Sequence, residues 1–296
     1  MDHRELAERS RRLMARLERC DICPRICRVN RVRGEEGECG TGKAARVVSF
    51  GPHFGEEAPL TGSYGSGTVF FSRCNLHCVF CQNYDISHFE EGREVAAAAL
   101  ADIFLSLQRT GCHNLNLVTP THVTPQILEA LLQARERGFS LPVVYNCGGY
   151  ERLETLRELD GVIDIYMPDV KFLDPSPAAR YCGASDYPHV VRAAVKEMAR
   201  QAGPLVLDGR GIALRGLLVR HLVMPGDAST TRKVIDFLVG EIGTYTYLNL
   251  MDQYRPCGRA YEFPEIARRT SPEEWNDVRN YALSKGMSRL DGEHPP

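Results

Sequence analysis

The chain has 296 residues, of which 43% are hydrophobic and 25% charged, which is the usage of an ordinary globular protein of one or two domains. A formal net charge of -2 argues against broad, non-specific binding to nucleic acids. No apolar run approaches the roughly 18 residues that span a bilayer, and residues 1–20 lack the apolar core of an export signal. We therefore expect a cytoplasmic protein without nucleic-acid or membrane partners. Its eleven cysteines are then metal ligands, catalytic thiols or buried small residues, not disulfides.

The chain opens with an amphipathic pattern over residues 1–20 that predicts a helix. The segment after it is rich in Gly, Arg and Glu and too poor in apolar residues to build a core, so we expect a metal to stabilise it. Its candidate ligands have the spacing C-x2-C-x3-C-x11-C and are Cys20, Cys23, Cys27 and Cys39. Four thiolates suit either one zinc or iron ion or an iron–sulfur cluster, and both alternatives stay open.

After a glycine-rich, turn-forming stretch, short apolar runs alternate with helical patterns from Thr68 onward. The predicted strands cover 68–72, 115–119, 142–146, 162–167, 217–224 and 245–250. The predicted helices cover 94–110, 124–138, 150–159, 187–202, 229–240 and 272–286. Nearly all-apolar strands that are mostly followed by helices indicate an α/β fold with a parallel sheet covered by helices. Either an open doubly wound sheet or a barrel fits this pattern.

Ligands of such sheets bind at the carboxyl ends of the strands, so the residues just past those ends are the candidates for a site. The first strand is followed by Cys74, Cys78 and Cys81 in the spacing C-x3-C-x2-C. The polar residues between them suit a surface loop, which argues against three merely buried cysteines. A zinc site with His77 or His88 as fourth ligand is one alternative. The tight spacing favours an iron–sulfur cluster with three protein ligands and one open position.

This cysteine motif, placed after the first strand of an alternating strand–helix chain, resembles that of the radical S-adenosylmethionine superfamily. The resemblance implies a partial (β/α)6 TIM-like barrel and a [4Fe-4S] cluster whose open iron binds S-adenosylmethionine. It also implies reductive cleavage to methionine and a 5′-deoxyadenosyl radical that abstracts hydrogen, with a reductant such as flavodoxin or ferredoxin. Phe80, just before the third cysteine, matches the position whose aromatic ring lies near the adenine.

Further stretches, among them "DIYMPDVKF" and "MDQYRP", are similar to uncharacterised iron–sulfur proteins that resemble pyruvate formate-lyase activating enzymes. In those enzymes the fourth strand ends in Met-x-Asp-x-Lys, and here Met167, Asp169 and Lys171 stand at that spacing. The resemblance implies a monovalent-cation site at Met167 and Asp169 beside the co-substrate carboxylate, with Lys171 nearby. Asn146 departs from the family's acidic residue, and a neutral amide supplies less charge to a cation. Extra clusters are frequent in this family, so a second cluster at the N-terminal cysteines stays an alternative.

The superfamily's Gly-Gly-Glu motif after the second strand is replaced here by Thr119-Pro120-Thr121-His122. Oxygens of Thr119 and Thr121 can accept hydrogen bonds from the amino group of S-adenosylmethionine, so we expect both residues at the site. His122 is a candidate for orienting substrate or moving a proton, and the alternative is a residue that only supports the helix entry. In similar enzymes a fifth-strand residue contacts the ribose, which makes His221 a candidate, with an outward-facing His221 as the alternative.

We expect three regions: an N-terminal helix and Cys-rich metal module (1–60), the radical SAM partial barrel (61–256) and a C-terminal tail with a helix (257–296). The first functional hypothesis is an activase that places a glycyl radical on a partner enzyme. Radical modification of another peptide, protein or small metabolite is the second hypothesis, and a non-catalytic iron–sulfur electron carrier is the third. The expected catalytic residues are Cys74, Cys78, Cys81, His122 and Lys171.

Overall fold

The computed structural model describes residues 1–292. Within this range the strands are β1 (Ala45–His53), β2 (Ser66–Phe71), β3 (Arg93–Val95), β4 (Leu115–Val118), β5 (Val143–Cys147), β6 (Ile165–Pro168), β7 (Val206–Leu207), β8 (Ala213–Leu222) and β9 (Tyr247–Met251). The α-helices are α1 (His3–Ala15), α2 (Ala58–Thr61), α3 (Tyr84–His88), α4 (Ala97–Thr110), α5 (Thr124–Glu136), α6 (Leu153–Glu158), α7 (Pro175–Cys182), α8 (Tyr187–Ala202), α9 (Thr231–Phe237) and α10 (Pro272–Ser284). The predicted strands and helices match observed ones to within a few residues at each end.

The core of the fold is a curved sheet of six parallel strands in the order β2, β4, β5, β6, β8 and β9. Alternate side chains face the barrel interior, where Val144, Ile165, Met167 and Leu218 pack together. The residues between them face the helices, as when Tyr166 donates a hydrogen bond to Gln201 in α8. In the described residues β9 pairs with β8 and not with β2, so the barrel is open. The predicted partial barrel is confirmed.

Three strands lie outside the predicted set and are antiparallel to their neighbours. β1 pairs with β2 and β3 pairs with β1 at one edge of the sheet, and β7 pairs with the beginning of β8. The sequence hides β1 because its second half contains Gly51 and Pro52, residues that are typical of turns. Since β1 belongs to the main sheet, the cysteine-rich segment at the N-terminus ends before Ala45, inside the region expected to span 1–60.

The two terminal regions pack on the outside of the barrel. In α1, Leu6 and Leu13 are buried against α5, and the Asp2 side chain accepts a hydrogen bond from the Glu5 N–H at the helix start. At the other end, α10 begins with a capping box at Ser271, and the Trp275 indole donates to a carbonyl of β9. Among residues 1–292, no helix combines the length and the apolar character that crossing a membrane requires.

Candidate functional site

The loop after β2 brings the three cysteines of the C-x3-C-x2-C motif to the carboxyl end of the barrel. There Cys74, Cys78 and Cys81 line one cavity of about 420 Å³. The Val79 N–H in this loop donates to the carbonyl of Tyr181, over 2.9 Å, at the end of α7. The loop is therefore fixed by backbone contacts to the barrel's own helices, and its thiols face a single enclosed space.

Cys78 is buried and Cys74 and Cys81 are half-buried, and the pKa of each of these three thiols is raised. Burial raises the pKa of Cys74 to about 12 and also raises the pKa of Cys81. A hydrogen bond with Cys182, whose Sγ lies 3.2 Å from the Cys78 Sγ, and burial raise the pKa of Cys78 well above its usual value. Among residues 1–292, no group of three or more His, Cys, Asp or Glu side chains has the geometry of an assembled metal-ion site. Metal binding by these cysteines requires loss of their thiol protons.

Four side chains from β5, β8 and the segment just after β6 form a hydrogen-bonded group on the same cavity wall, which we call the charged clamp: Asn146, Asp169, Lys171 and Arg220. Lys171 Nζ donates to Asp169 Oδ2 and Arg220 Nε donates to Asp169 Oδ1, each over 2.8 Å. Arg220 Nη2 also donates to Asn146 Oδ1 over 2.7 Å, and Arg220 Nη1 lies 3.4 Å from a Glu56 carboxylate oxygen. Parallel pairing places Asp169 beside Arg220 and so fixes the geometry of the clamp.

The clamp is ionised at neutral pH. Burial alone would raise the pKa of Asp169, but the adjacent Arg220 and Lys171 lower the pKa of Asp169 to about 2. Burial also opposes the charge on Lys171, yet Asp169 keeps the pKa of Lys171 well above its usual value. An ammonium group carries three donors, so Lys171 can bind Asp169 and also an anionic group in the cavity. The arrangement suits a ligand that carries a carboxylate.

Residues 68–212 match the model of the radical SAM superfamily. Over 263 residues the chain is 31% identical to an uncharacterized protein of Methanocaldococcus jannaschii, and the aligned region covers 86% of this chain and 71% of that relative. The chain belongs to the radical SAM superfamily. A second uncharacterized protein of the same organism is 24% identical over 289 residues, which is 91% of this chain and 79% of the relative.

A solved structure of another superfamily member supports the fold. A radical SAM methyltransferase from Sphaerobacter thermophilus superposes with a TM-score of 0.51 at 13% sequence identity. The superposition covers 75% of this chain and 64% of the methyltransferase. At this identity the likeness concerns the fold alone. It places the present chain among partial barrels of the radical SAM type.

Membership in the radical SAM superfamily implies an enzyme with a [4Fe-4S] cluster and S-adenosylmethionine. The side chains of this chain fit both groups. Thiols are the ligands that iron–sulfur clusters take, and the three motif cysteines line the cavity together with Cys147. The clamp on the same wall offers donors to the carboxylate of an amino acid.

Most of the residues predicted for the radical SAM site meet in this cavity. Its lining includes Cys74, Cys78, Cys81, Phe80, Thr119, Asn146, Asp169 and Lys171. The Phe80 ring packs edge-on against the Phe172 ring, with 5.9 Å between ring centroids, and this contact holds Phe80 in place. Thr119 has a φ of 59°, a left-handed conformation that is uncommon outside glycine, at the point where the chain leaves β4. The side chain of Met167 is fully buried in the barrel interior.

Two residues predicted to contact S-adenosylmethionine, Thr121 and His221, have side chains that lie outside this cavity. Thr121 is buried outside the cavity lining, and its hydroxyl donates to Glu151 Oε1 over 2.5 Å. His221 lies on the helix side of β8, where Nδ1 is 2.6 Å from the Val170 carbonyl and Nε2 is 2.9 Å from the Thr231 hydroxyl. The alternation of β8 turns the preceding residue, Arg220, into the cavity instead.

His122 was expected beside the reactive centre, and its ring lies outside the cavity that the radical SAM cysteines share. Its ring is 1% exposed and lies behind the loop, with Nε2 2.8 Å from the carbonyl of Ser72. Burial lowers the pKa of His122 to about 4, so the ring is neutral at pH 7. His122 lines a second, much smaller cavity and not the one that the radical SAM cysteines share.

Sequence reasoning missed three residues around the site: Arg220, Cys182 and Glu151. Arg220 was visible as one of two polar neighbours in a strand, but the choice between them needed the register of β8. Cys182 belongs to α7, a helix that the sequence analysis did not predict. Glu151 lies four residues after the end of β5, and its burial has no signal in the sequence.

The N-terminal cysteines come together at the second cavity. Its volume is about 10 Å³, and its lining includes Cys20, Cys23, Cys27, Cys39 and His122. Burial raises the pKa values of Cys23 and Cys39, and the charge of neighbouring cysteines raises both pKa values further. The segment is held to the barrel by Arg25, whose guanidinium donates to carbonyls of Asn75 and Gly183. The four candidate ligands thus lie at one place against the barrel loops.

Proposed function

We propose that the protein cleaves S-adenosylmethionine reductively at a [4Fe-4S] cluster bound by Cys74, Cys78 and Cys81, and that it abstracts hydrogen from a segment of a partner protein. The observation that carries the proposal is the single cavity shared by these three thiols and the charged clamp. Three thiolates leave one coordination position of a four-iron cluster for a ligand that is not a protein side chain. The clamp supports the proposal because its donors suit the carboxylate at the amino-acid end of that ligand.

The roles of the clamp residues follow from their donors. Lys171 and Arg220 hold the carboxylate of S-adenosylmethionine, and Asp169 fixes both cations in position. Asn146 takes one Arg220 donor, so a guanidinium supplies the positive charge that a monovalent cation provides in related enzymes. Thr119 offers oxygens to the amino group from the end of β4, and Phe80 borders the adenine.

The surroundings of the thiols favour a stable cluster. When bound, the cluster supplies one electron to the sulfonium of S-adenosylmethionine, which releases methionine and a 5′-deoxyadenosyl radical. The Leu76 N–H donates to Cys74 Sγ and the Ser87 hydroxyl donates to Cys81 Sγ, over 3.3 and 3.2 Å. Hydrogen bonds to the thiolates stabilise them and tune the reduction potential of the cluster. The electron comes from a reductant such as flavodoxin or ferredoxin.

The size of the cavity indicates how the substrate is presented. A volume of about 420 Å³ lies at the lower end of the range that holds one small molecule. The cluster and S-adenosylmethionine fill such a space, so the reacting group of the substrate enters at its mouth. Phe54 is 64% exposed beside His53 and Gly55, which line this cavity, and thus offers an apolar contact outside it. A loop of a partner protein suits this arrangement better than a metabolite that needs an enclosed pocket.

The first candidate for the partner is a glycyl-radical enzyme, which receives its radical by loss of hydrogen from a backbone glycine. The spacing of Met167, Asp169 and Lys171 supports this choice because activating enzymes for glycyl radicals share it. Loss of that hydrogen to deoxyadenosyl gives 5′-deoxyadenosine and a carbon-centred radical, so atoms and electrons balance. Another peptide, or a small metabolite, is the competing substrate class.

The test is an anaerobic mixture of the reduced protein, S-adenosylmethionine and a glycyl-radical enzyme whose glycine carries deuterium. We expect a glycyl radical in the electron paramagnetic resonance spectrum and deuterium in the 5′-deoxyadenosine that forms. A matched mixture with the partner's glycine replaced by alanine should give neither signal. Deoxyadenosine that increases only with an extract of small molecules, freed of protein, would overturn the choice of a protein substrate.

A further inference from the structure

His122 and the N-terminal cysteines meet although they come from distant parts of the chain. The four thiols belong to residues 20–39, whereas His122 belongs to the loop after β4, and all five side chains line one small cavity. Nothing in the radical SAM chemistry described above uses His122. Its position raises the question of what an imidazole does among four thiols.

The hydrogen bonds of His122 fix which ring nitrogen can act as a ligand. Nε2 lies 2.8 Å from the Ser72 carbonyl, and a carbonyl only accepts, so Nε2 carries the proton. The lone pair of the neutral ring is therefore on Nδ1. Nδ1 is buried and has no hydrogen-bond partner among the described residues. Histidines that bind metal characteristically donate their other ring N–H to a carbonyl or carboxylate, as His122 does here.

The size of the cavity favours one ion over a cluster. A volume of about 10 Å³ holds roughly one water-sized sphere, which is far less than the space around the radical SAM cysteines. Gly37 packs directly on Cys27, since an added Cβ would lie 2.8 Å from the Cys27 Sγ. The backbone of Gly37 therefore lies against the Cys27 thiol, and the small enclosed space suits one ion better than a cluster.

Arg31 provides a positive charge beside the thiols of this small cavity. It is 1% exposed and lines the cavity, and its Nη1 lies 3.9 Å from the Cys20 Sγ. A zinc ion with three thiolates and one neutral imidazole carries a single negative charge, which one guanidinium neutralises. Four thiolates would leave a further buried negative charge without a counterion, and such a charge is costly.

We propose that His122 Nδ1 and three of the four N-terminal cysteines bind one zinc ion. The ion joins the N-terminal segment to the loop after β4, and Arg31 reinforces this link because its Nη1 donates to the His122 carbonyl over 2.8 Å. The same loop carries Thr119 into the radical SAM cavity. The zinc site thus acts as a positioning element for that loop, and it stands independently of the proposed substrate.

The test is X-ray absorption at the zinc edge on the full chain, reconstituted with iron and zinc and purified without oxygen. We expect a shell of three sulfurs at roughly 2.3 Å and one nitrogen at roughly 2.0–2.1 Å. His122→Ala should remove the nitrogen and weaken zinc binding at least tenfold in a chelator competition. His122→Cys should restore tight binding with sulfurs only. His113→Ala, at a histidine outside this cavity, should change neither result.

Two results would overturn the proposal. One is an all-sulfur zinc shell in the unaltered protein, which would assign the site to four cysteines without His122. The other is about eight irons per chain with no zinc, which would assign the cysteines to a second cluster. Because both results concern the unaltered protein, the proposal stays testable even where His122→Ala fails to fold.

Discussion

The two cysteine sets of this protein lie against neighbouring barrel loops but in opposite surroundings. Cys74, Cys78 and Cys81 open onto about 420 Å³ of space beside the charged clamp. The N-terminal cysteines enclose about 10 Å³ and share it with a neutral imidazole and one guanidinium. Both sets are made of the same ligand atoms. What differs is whether the protein leaves room and charge for a further molecule.

In our proposal that difference separates a reactive site from a structural one. An open coordination position has a use only where a ligand can reach it and be held, and the clamp provides the holding donors. A closed set contributes its binding energy to folding because the ligands come together only in the folded chain. The single loop after β4 touches both sites, with Thr119 at the open one and His122 at the closed one.

The largest expected effect is at the open set. Cys78→Ala should lower deoxyadenosine formation by at least about a thousandfold and remove the cluster iron, because two thiolates do not hold the cluster. Iron content and deoxyadenosine yield are the measurements. Cys182→Ala is the matched control, since that thiol lies 3.2 Å from Cys78 but outside the motif. If Cys182→Ala loses iron as well, a fourth thiolate closes the shell and the site is not open.

The corresponding substitution among the N-terminal cysteines is Cys23→Ser. We expect loss of the N-terminal metal and a decrease of the free energy of unfolding on the order of 4 kcal/mol, with the radical SAM cluster still assembled. Denaturant unfolding, together with zinc and iron analysis, measures both effects. Cys257→Ser, at a partly exposed thiol outside both cavities, should leave stability and metal content unchanged. Joint loss of both metals would show that the N-terminal segment is part of the catalytic fold.

The clamp gives a prediction that concerns only the open region. Arg220→Met should weaken binding of S-adenosylmethionine by roughly 30- to 4,000-fold, since truncating one member of a buried charged pair typically costs about 2–5 kcal/mol. Equilibrium binding to the reconstituted protein measures the change. Arg215→Met, at an exposed arginine of the same strand, should bind as the unaltered protein does. Equal affinity in both variants would remove the clamp from the account of ligand binding.

The smallest expected effect lies beneath the shared loop, at Glu151. Burial raises the pKa of Glu151 to about 7, above its ordinary value of 4.5. The folded protein therefore binds a proton at Glu151 more tightly than the unfolded chain does. The stability that this proton binding contributes is complete below about pH 4.5 and is lost as pH rises through 7. Glu151→Gln should remove this dependence and stabilise the protein at pH 8 by about 3 kcal/mol at most.

Urea unfolding at several pH values between 5 and 8 measures the effect at Glu151. Glu154→Gln, at an exposed carboxyl of α6, is the control and should keep the pH dependence of the unaltered protein. A Glu151→Gln variant that is less stable at every pH would show that the ionised carboxylate supports the loop through its bonds to Thr121 and Tyr145.

The sequence was sufficient for the parallel strands and for the cysteine motif, because apolar runs and fixed spacings are local signals. The sequence was not sufficient where the face of a strand on which a side chain lies depends on pairing with a neighbouring strand. In β8, Arg220 and His221 are both polar, and only pairing with Asp169 turns the arginine inward. Thr121 and His122 follow a strand end as expected, yet the left-handed turn at Thr119 directs the chain so that both point away from the cavity.

The N-terminal site shows the same limit at longer range. Its four cysteines are close in sequence and were predictable as one set. His122 joins them across more than eighty residues, and no spacing rule connects a histidine after β4 with a motif before β1. The proposal of a zinc ion therefore depends on the fold, because the size of the cavity and the unpaired Nδ1 of His122 are visible only when the two segments are placed together.

The most direct test of the central account uses the unaltered protein, purified and reconstituted without oxygen. Iron and zinc are counted, and the protein is then incubated with dithionite and S-adenosylmethionine while 5′-deoxyadenosine is measured. The account predicts about four irons and one zinc per chain, with deoxyadenosine released. A full complement of iron with no deoxyadenosine would contradict it, because the open position would then not serve S-adenosylmethionine and the protein would be an electron carrier.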